Sequence, residues 1–170
     1  CIRDRCERHQ TELQGLQNLE EDASVLEEEI DELVKTLKEH SKNLSSERKK
    51  AAKKLDESIS KELRELGMSR ARFETSFEKK YDDSFSSNGA DRVEFMLSVN
   101  PGQPLRPLVK IASGGELSRV MLAIQTILTT DTVETLIFDE VDTGISGSVA
   151  ETVGRKLAHL GKRQQTLCIT

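Results

Sequence analysis

Between Cys6 and Leu66 the chain contains no proline and a single glycine, Gly15, and it is built mainly from Glu, Lys, Leu and Arg. Proline and glycine are the residues that break helices, so this stretch can run as one helix. Leu16, Ala23, Ile30, Leu37, Leu44 and Ala51 recur at every seventh position, and Leu19, Leu26, Leu33 and His40 follow with the same period. That is an a/d seam sustained over about four heptads, with charge on the remaining faces, which predicts a coiled-coil arm. Some 60 residues of helix would span about 90 Å at 1.5 Å per residue. After Ala51 the spacing of Leu55, Ile59, Leu63 and Leu66 shortens to four, four and three. Such a change predicts local unwinding where an arm leaves its partner helix and roots in a globular head. Gly67 and Met68 mark the predicted end, which sets an arm over 1–67 and a lobe over 68–170.

Two features of this arm invite a chemical reading. His40 at a d position reads as a metal ligand or switch, or as a polar residue tolerated in the seam. The run Arg48, Lys49, Lys50, Lys53 and Lys54 reads as a solvated helix face or as a phosphate contact for DNA, since sequence-independent binding needs only clustered cations.

Composition narrows the field. Charged residues make up 32%, aromatics 4%, and there is no Trp, which fits a long exposed helix beside a small core. The net charge of −5, from 25 basic and 30 acidic side chains, carries no overall nucleic-acid or membrane signature, so any basic surface must be local. Cys1, Cys6 and Cys168 have no metal-site spacing and no even disulfide count, which predicts a reducing, cytoplasmic setting. No apolar run approaches the roughly 18 residues that span a bilayer, and no membrane partner is expected. The chain begins at Cys1 without a methionine and ends at Thr170 inside an expected strand, so a piece of a longer protein is expected.

After the arm, 72–77 and 93–99 alternate apolar and polar residues and predict half-buried strands, joined by a surface loop over 82–91. Asn100-Pro101-Gly102 predicts a turn, and Pro104 and Pro107 predict extended chain up to Lys110. The run Leu117, Val120, Met121, Ile124, Ile127 and Leu128 predicts a helical face, and Val149, Val153, Leu157 and Leu160 a second one closed by Gly161. Residues 135–138 and 165–170 read as buried strands, and strand, helix, strand predicts a parallel βαβ crossover. The fold class is therefore α/β.

Two short segments carry chemistry. Ser113-Gly114-Gly115-Glu116-Leu117-Ser118-Arg119 opens the first of these helices. Its glycines let main-chain N–H groups approach a phosphate at the positive end of a helix dipole; its serine is also an ordinary N-cap. Leu136-Ile137-Phe138 ends in adjacent carboxylates, Asp139 and Glu140. Paired acids at the C-terminal end of a strand suit a cation or a proton transfer, and ligands in open α/β sheets lie at that edge.

Together these residues resemble the ABC-type ATPases, with Ser113 to Arg119 similar to their signature motif and Leu136 to Glu140 to their Walker B strand and following glutamate. Within that superfamily the chain resembles the C-terminal part of the RecN family of bacterial DNA-repair ATPases, relatives of the SMC proteins. The narrower match rests on Gly89-Ala90-Asp91-Arg92-Val93-Glu94-Phe95, on Asn100 to Leu108, on the Ser-Gly-Gly-Glu-Leu-Ser-Arg run and on Phe138 to Gly147.

The resemblance implies the C-terminal lobe of an ATPase head and the cofactors ATP and Mg²⁺. It implies that Asp139 holds Mg²⁺ through a water, that Glu140 polarises the attacking water, and that Ser113, Gly114, Gly115 and Glu116 grip the ATP of the opposite subunit. It places Ser146 in a D-loop where many relatives carry an aspartate, and leaves Arg119 to pair with a nearby acid or phosphate. The implied partners are an N-terminal lobe of the same protein carrying the Walker A loop, a second head in an ATP-sandwiched homodimer, and DNA ends or single strands in a bacterial nucleoid. No Gly-x-x-x-x-Gly-Lys-[Ser/Thr] loop occurs in these 170 residues, so the fragment alone is expected to be inactive. The rival readings are another SMC-family chromosome or repair ATPase and a non-catalytic coiled-coil tether. An ABC transporter subunit is disfavoured by the long arm.

Overall fold

The computed structural model describes residues 2–79, 85–111, 113–128 and 133–170. Part of the expected loop over 82–91 and Cys1 therefore lie outside the described residues, as does the side chain of Cys6. The chain divides into two units, Cys1–Ser46 with Asp83–Ala90 and Glu47–Asp82 with Asp91–Thr170. One helix, α1 (Ile2–Glu65), contributes residues to both.

In the first unit the heptad residues face solvent. Leu16, Leu19, Leu26, Ile30 and Leu33 are all more than half exposed, Leu33 at 69%. Apolar side chains at this spacing gain stability when they interlock with a second helix, and among the described residues none covers them. Ser86 and Gly89 form an isolated bridge in the same unit, with Gly89 in the left-handed region at φ 82°.

In the second unit the same helix becomes a core element. Ile59, Leu63 and Leu66 are fully buried and Leu55 packs beside them, so the tightened spacing does mark the burial of the helix end. That end is a Schellman turn. The Met68 N–H donates to the Leu63 carbonyl at 2.9 Å and the Gly67 N–H to the Arg64 carbonyl at 3.3 Å, with Gly67 at φ 79°. Met68 and Leu63 share the core, which is the apolar contact that accompanies this cap.

Strands β1 (Arg72–Lys79) and β2 (Asp91–Ser98) pair antiparallel, with Phe73 opposite Leu97. The Phe73 and Phe95 rings stand 5.4 Å apart. Asp56 on α1 pins this hairpin to the helix, accepting from the Thr75 N–H at 3.1 Å and the Thr75 hydroxyl at 2.7 Å. A two-residue β3 (Arg106–Pro107) continues the sheet beside β2. The extended run expected up to Lys110 ends there, because Leu108–Lys110 is a 3₁₀ turn closed by the Ile111 N–H on the Leu108 carbonyl at 3.2 Å. Pro107 has no N–H to continue the ladder, so the chain is free to turn.

Helix α2 (Gly114–Ile127), β4 (Thr135–Asp139), α3 (Ser148–Leu160) and β5 (Gln165–Ile169) complete the unit. Strands β4 and β5 pair parallel through the α3 crossover, with Phe138 beside Cys168. Leu136 and Phe138 join Val120, Leu122, Ala123, Val153 and Leu160 in one core with the end of α1. Of the strands expected to be buried, β4 is covered on one face only, with Ile137 64% exposed, and β5 has Thr166 half-buried and its other residues, Leu167 and Ile169 among them, exposed. The face of α2 also differs from the expected one. Leu122 and Ala123 are buried while Met121 and Leu128 are exposed, because this helix is apolar on several sides and its packing partner decides which side turns inward. Gly161 follows α3 as expected but keeps a right-handed φ of −61°, so its left-handed freedom is not used.

Candidate functional site

The site is assembled where the start of α2 meets the end of β4. Ser113 takes the N-cap position of α2, with extended backbone (φ −91°, ψ 116°), yet its hydroxyl makes no capping bond. Capping therefore does not occupy this hydroxyl, which is exposed together with Gly114. The two glycines have a steric reason for being glycine. A Cβ on Gly114 would sit 2.9 Å from Oε2 of Glu140. A Cβ on Gly115 would sit 2.9 Å from the Glu140 carbonyl oxygen and 3.2 Å from Cβ of Thr143. The first turn of α2 is thus pressed directly onto the segment that follows β4.

Glu140 is held in the left-handed region at φ 53°, alone in this among the described non-glycine residues. A non-glycine residue there costs about 1–2 kcal/mol and persists only where its surroundings over-determine it. Its N–H donates to the Ile169 carbonyl at 3.0 Å, and its carbonyl accepts from the Thr143 N–H at 3.1 Å. One bond thus fixes the residue to the neighbouring strand end, and the other closes a tight turn. Just before it, the Ser118 hydroxyl donates to the Asp139 carbonyl. Asp139 and Glu140 are both exposed, side by side at the C-terminal edge of β4.

Arg119 is buried, and its partners are main-chain carbonyls rather than the acid or phosphate expected of it. Its Nη1 donates to Thr143 at 2.8 Å and reaches Val141 at 3.5 Å, while its Nε is buried without a partner among the described residues. Burial lowers its pKa from the ordinary guanidinium value, and the charge of Glu116 opposes that shift. Glu116 is half-buried and shares the wall of a pocket of about 240 Å³ with Ser113, Arg106 and Lys110.

The remaining sequence candidates lie elsewhere. Ser146 is exposed in the loop between Val141 and α3, where Gly144 (φ 73°) and Gly147 (φ 58°) take left-handed turns. The basic run lies on α1 against the hairpin: Arg48 approaches Asp91 at 3.8 Å, Lys49 lies 6.0 Å above the Phe77 ring, and Lys50 pairs with Glu47 at 2.7 Å. Lys53 and Lys54 are exposed. Cys168 is a free, exposed thiol; burial, and after it the Asp142 charge, raise its pKa. No group of three or more His, Cys, Asp or Glu among the described residues could hold a metal ion by itself. Magnesium in nucleotide sites takes one or two carboxylates and completes its shell with phosphate oxygens and water, so a lone exposed Asp139 has the right donor chemistry for that arrangement.

Sequence reasoning placed Ser118 in the glycine-turn motif without a role of its own, and it missed Lys156. Lys156 on α3 donates to Glu62 and, at 2.8 Å, to Glu65, tying α3 to the end of α1. These pairs are 94 and 91 residues apart, and nothing local in the sequence announces them.

A parallel β4–β5 pair crossed by α3, with a glycine turn packed on strand-end carboxylates, defines the class, an α/β lobe. The particular family follows from the relatives. The "DNA repair protein RecN" of Vibrio cholerae is 46% identical over 170 residues, covering 96% of this chain and 30% of the relative. The proteins of the same name from Halalkalibacterium halodurans and Bacillus subtilis are 45% and 38% identical, covering 85% and 94% of this chain. The chain belongs to the RecN family and spans about three-tenths of the length of the relatives it matches. No family model matches it. Among solved structures, an Smc head domain with a coiled coil and joint from Pyrococcus yayanosii shares 19% identity at a TM-score of 0.46, covering 72% of this chain and 22% of that one. No helix of the described residues is long and apolar enough to cross a membrane.

Proposed function

We propose that this chain is the C-terminal part of a RecN-like, SMC-type ATPase of DNA double-strand-break repair and recombination, acting in the bacterial cytoplasm at the nucleoid. In this reading, residues 1–67 are a coiled-coil arm returning to the head and 68–170 are the lobe that supplies signature motif, Walker B strand and D-loop. The observation that carries the reading is the packing of Gly114 and Gly115 directly on Glu140, which joins the two motifs into one constellation.

Each residue has a role consistent with its setting. Glu140, exposed and held in a fixed backbone conformation, is the group that polarises an attacking water. Asp139 would hold Mg²⁺ through a water, and the ion supplies charge neutralisation at the phosphates. Ser113 offers a hydroxyl that capping leaves unused, and the N–H groups of Gly114 and Gly115 sit at the positive end of α2, where a γ-phosphate from a second head would be received. Ser146 lies in the loop that would face that second head.

The exposed apolar face of Ile137, Leu167 and Ile169 supports docking of an N-terminal lobe bearing the Walker A loop. The open seam on α1 supports a partner helix, and Arg48, Lys49, Lys50, Lys53 and Lys54 are the candidates for contact with DNA ends or single strands. Without a phosphate loop, the fragment alone neither binds ATP tightly nor hydrolyses it.

The test is ATP turnover by the full-length protein containing this chain. Saturable hydrolysis, lost in Glu140→Gln and absent from the isolated fragment, is the expected result. Turnover indifferent to Glu140→Gln would rule out the assigned role and favour the tether reading.

A further inference from the structure

We infer that Arg119, seconded by Ser118, is a positioning residue for hydrolysis: it ties α2 to the 139–143 turn and so fixes the backbone from which the Glu140 carboxylate projects. The inference rests on the proposed ATPase reading and extends it to two residues outside the nucleotide-contacting set.

The geometry makes a clamp. Ser118 holds the near end of the turn through the Asp139 carbonyl. Arg119 holds the far end through Thr143 at 2.8 Å, with Val141 at 3.5 Å. Between these anchors sits Glu140, in a left-handed conformation that an exposed loop residue would leave if released. Thr143 returns a hydrogen bond to the Glu140 carbonyl, so the Arg119 anchor reaches Glu140 through one further bond. The clamp also needs Gly115, since a Cβ there would lie 3.5 Å from Arg119 Nη1 and press on Glu140 and Thr143 at the same time.

Stability does not account for Arg119. It is 8% exposed, and its Nε is buried with no acceptor among the described residues. A buried charge with an unmet donor is costly, and an apolar side chain of similar volume commonly serves packing as well or better. What an apolar residue cannot do is hold main-chain carbonyls of a turn. The guanidinium fork reaching across from α2 does this, and the residue aimed by that turn is the exposed Glu140.

The experiment uses the full-length protein with Arg119→Met, Arg119→Lys, Ser118→Ala and Glu140→Gln, measuring kcat, KM for ATP and the melting midpoint. Arg119→Met keeps the packed volume and should leave the midpoint and KM unchanged while kcat falls about 100-fold, the order that an ångström of misplacement costs. Arg119→Lys, which can still reach one carbonyl, should recover part of that loss. Wild-type kcat in Arg119→Met overturns the inference. If Arg119→Met fails to fold, Ser118→Ala decides: a lower kcat at unchanged KM and midpoint supports the clamp, and an unchanged kcat refutes it. A wild-type protein whose turnover ignores Glu140→Gln sinks the ATPase reading and this inference together; Glu140-dependent turnover that survives the clamp variants sinks the inference alone.

Discussion

Adjacent glycines of one helix turn should respond oppositely to the same substitution. Replacing a glycine by alanine inside a helix stabilises by about 0.5–1 kcal/mol, because the unfolded chain loses freedom and the helix gains propensity. At Gly114 the added methyl meets, among the described residues, only the Glu140 carboxyl group, the end of a flexible and exposed side chain, with Oε2 at 2.9 Å. The carboxylate can swing aside, so Gly114→Ala should keep most of that gain. At Gly115 the methyl meets the Glu140 carbonyl at 2.9 Å and Thr143 Cβ at 3.2 Å, both parts of a hydrogen-bonded turn. Forcing a methyl into such a site costs about 1–3 kcal/mol, which exceeds the propensity gain. The two variants should therefore differ by about 1–3 kcal/mol in the direction of a less stable Gly115→Ala. Urea denaturation of the full-length protein, followed by far-ultraviolet circular dichroism, reads this as a lower midpoint for Gly115→Ala alone. Equal midpoints for the two variants would show that α2 does not press on the Glu140 turn, and the geometry of the site would have to be abandoned.

Two further outcomes follow from the root of the arm. Leu63→Ala empties a fully buried position of the core and should cost about 2–5 kcal/mol in the same denaturation experiment, whereas Leu33→Ala, on the exposed seam, should cost far less when no partner helix is engaged. Lys156→Met should change the pH dependence of stability on both flanks. The Lys156 hydrogen bond, and next its charge, hold Glu65 below its ordinary value of 4.5, so that contribution is present above 4.5 and lost as pH falls through the lowered value. Burial lowers the Lys156 pKa, but hydrogen bonds and charge from Glu62 and Glu65 outweigh it and leave a net rise above 10.5; this contribution is full below 10.5 and lost at higher pH. The midpoint advantage of wild type over Lys156→Met should be flat between about pH 5 and 10 and shrink on either side.

The parts of this structure that a reader of the sequence can recover are those written in local periodicity. The seven-residue repeat, its break near Ala51, the Gly67-Met68 terminus, the hairpin and the strand-helix-strand order all follow from spacing within one element. What escapes is whatever depends on which element comes to lie opposite. The apolar residues of α2 do not say which side faces inward, so Met121 and Leu128 were expected in the core and Leu122 and Ala123 were not. Ile137, Leu167 and Ile169 carry the composition of strands covered on both faces, while this chain covers one face of β4 and buries no residue of β5. The site divides in the same way. Ser113, Gly114, Gly115, Asp139 and Glu140 are legible as residue types in short motifs, but the contact between the two motifs is not. Nor is the clamp of Ser118 and Arg119, whose partners lie 21 to 24 residues away and are main-chain carbonyls without sequence identity.

The central claim is that the glycine turn and the strand-end carboxylates act on nucleotides shared between two heads. Light scattering of the full-length protein with and without ATP tests it most directly. With ATP, Glu140→Gln should accumulate as a stable dimer, because engagement proceeds and hydrolysis does not, while Ser113→Arg should remain at its nucleotide-free mass. Masses that do not respond to ATP in Glu140→Gln, or a Ser113→Arg variant that dimerises like wild type, would contradict the account.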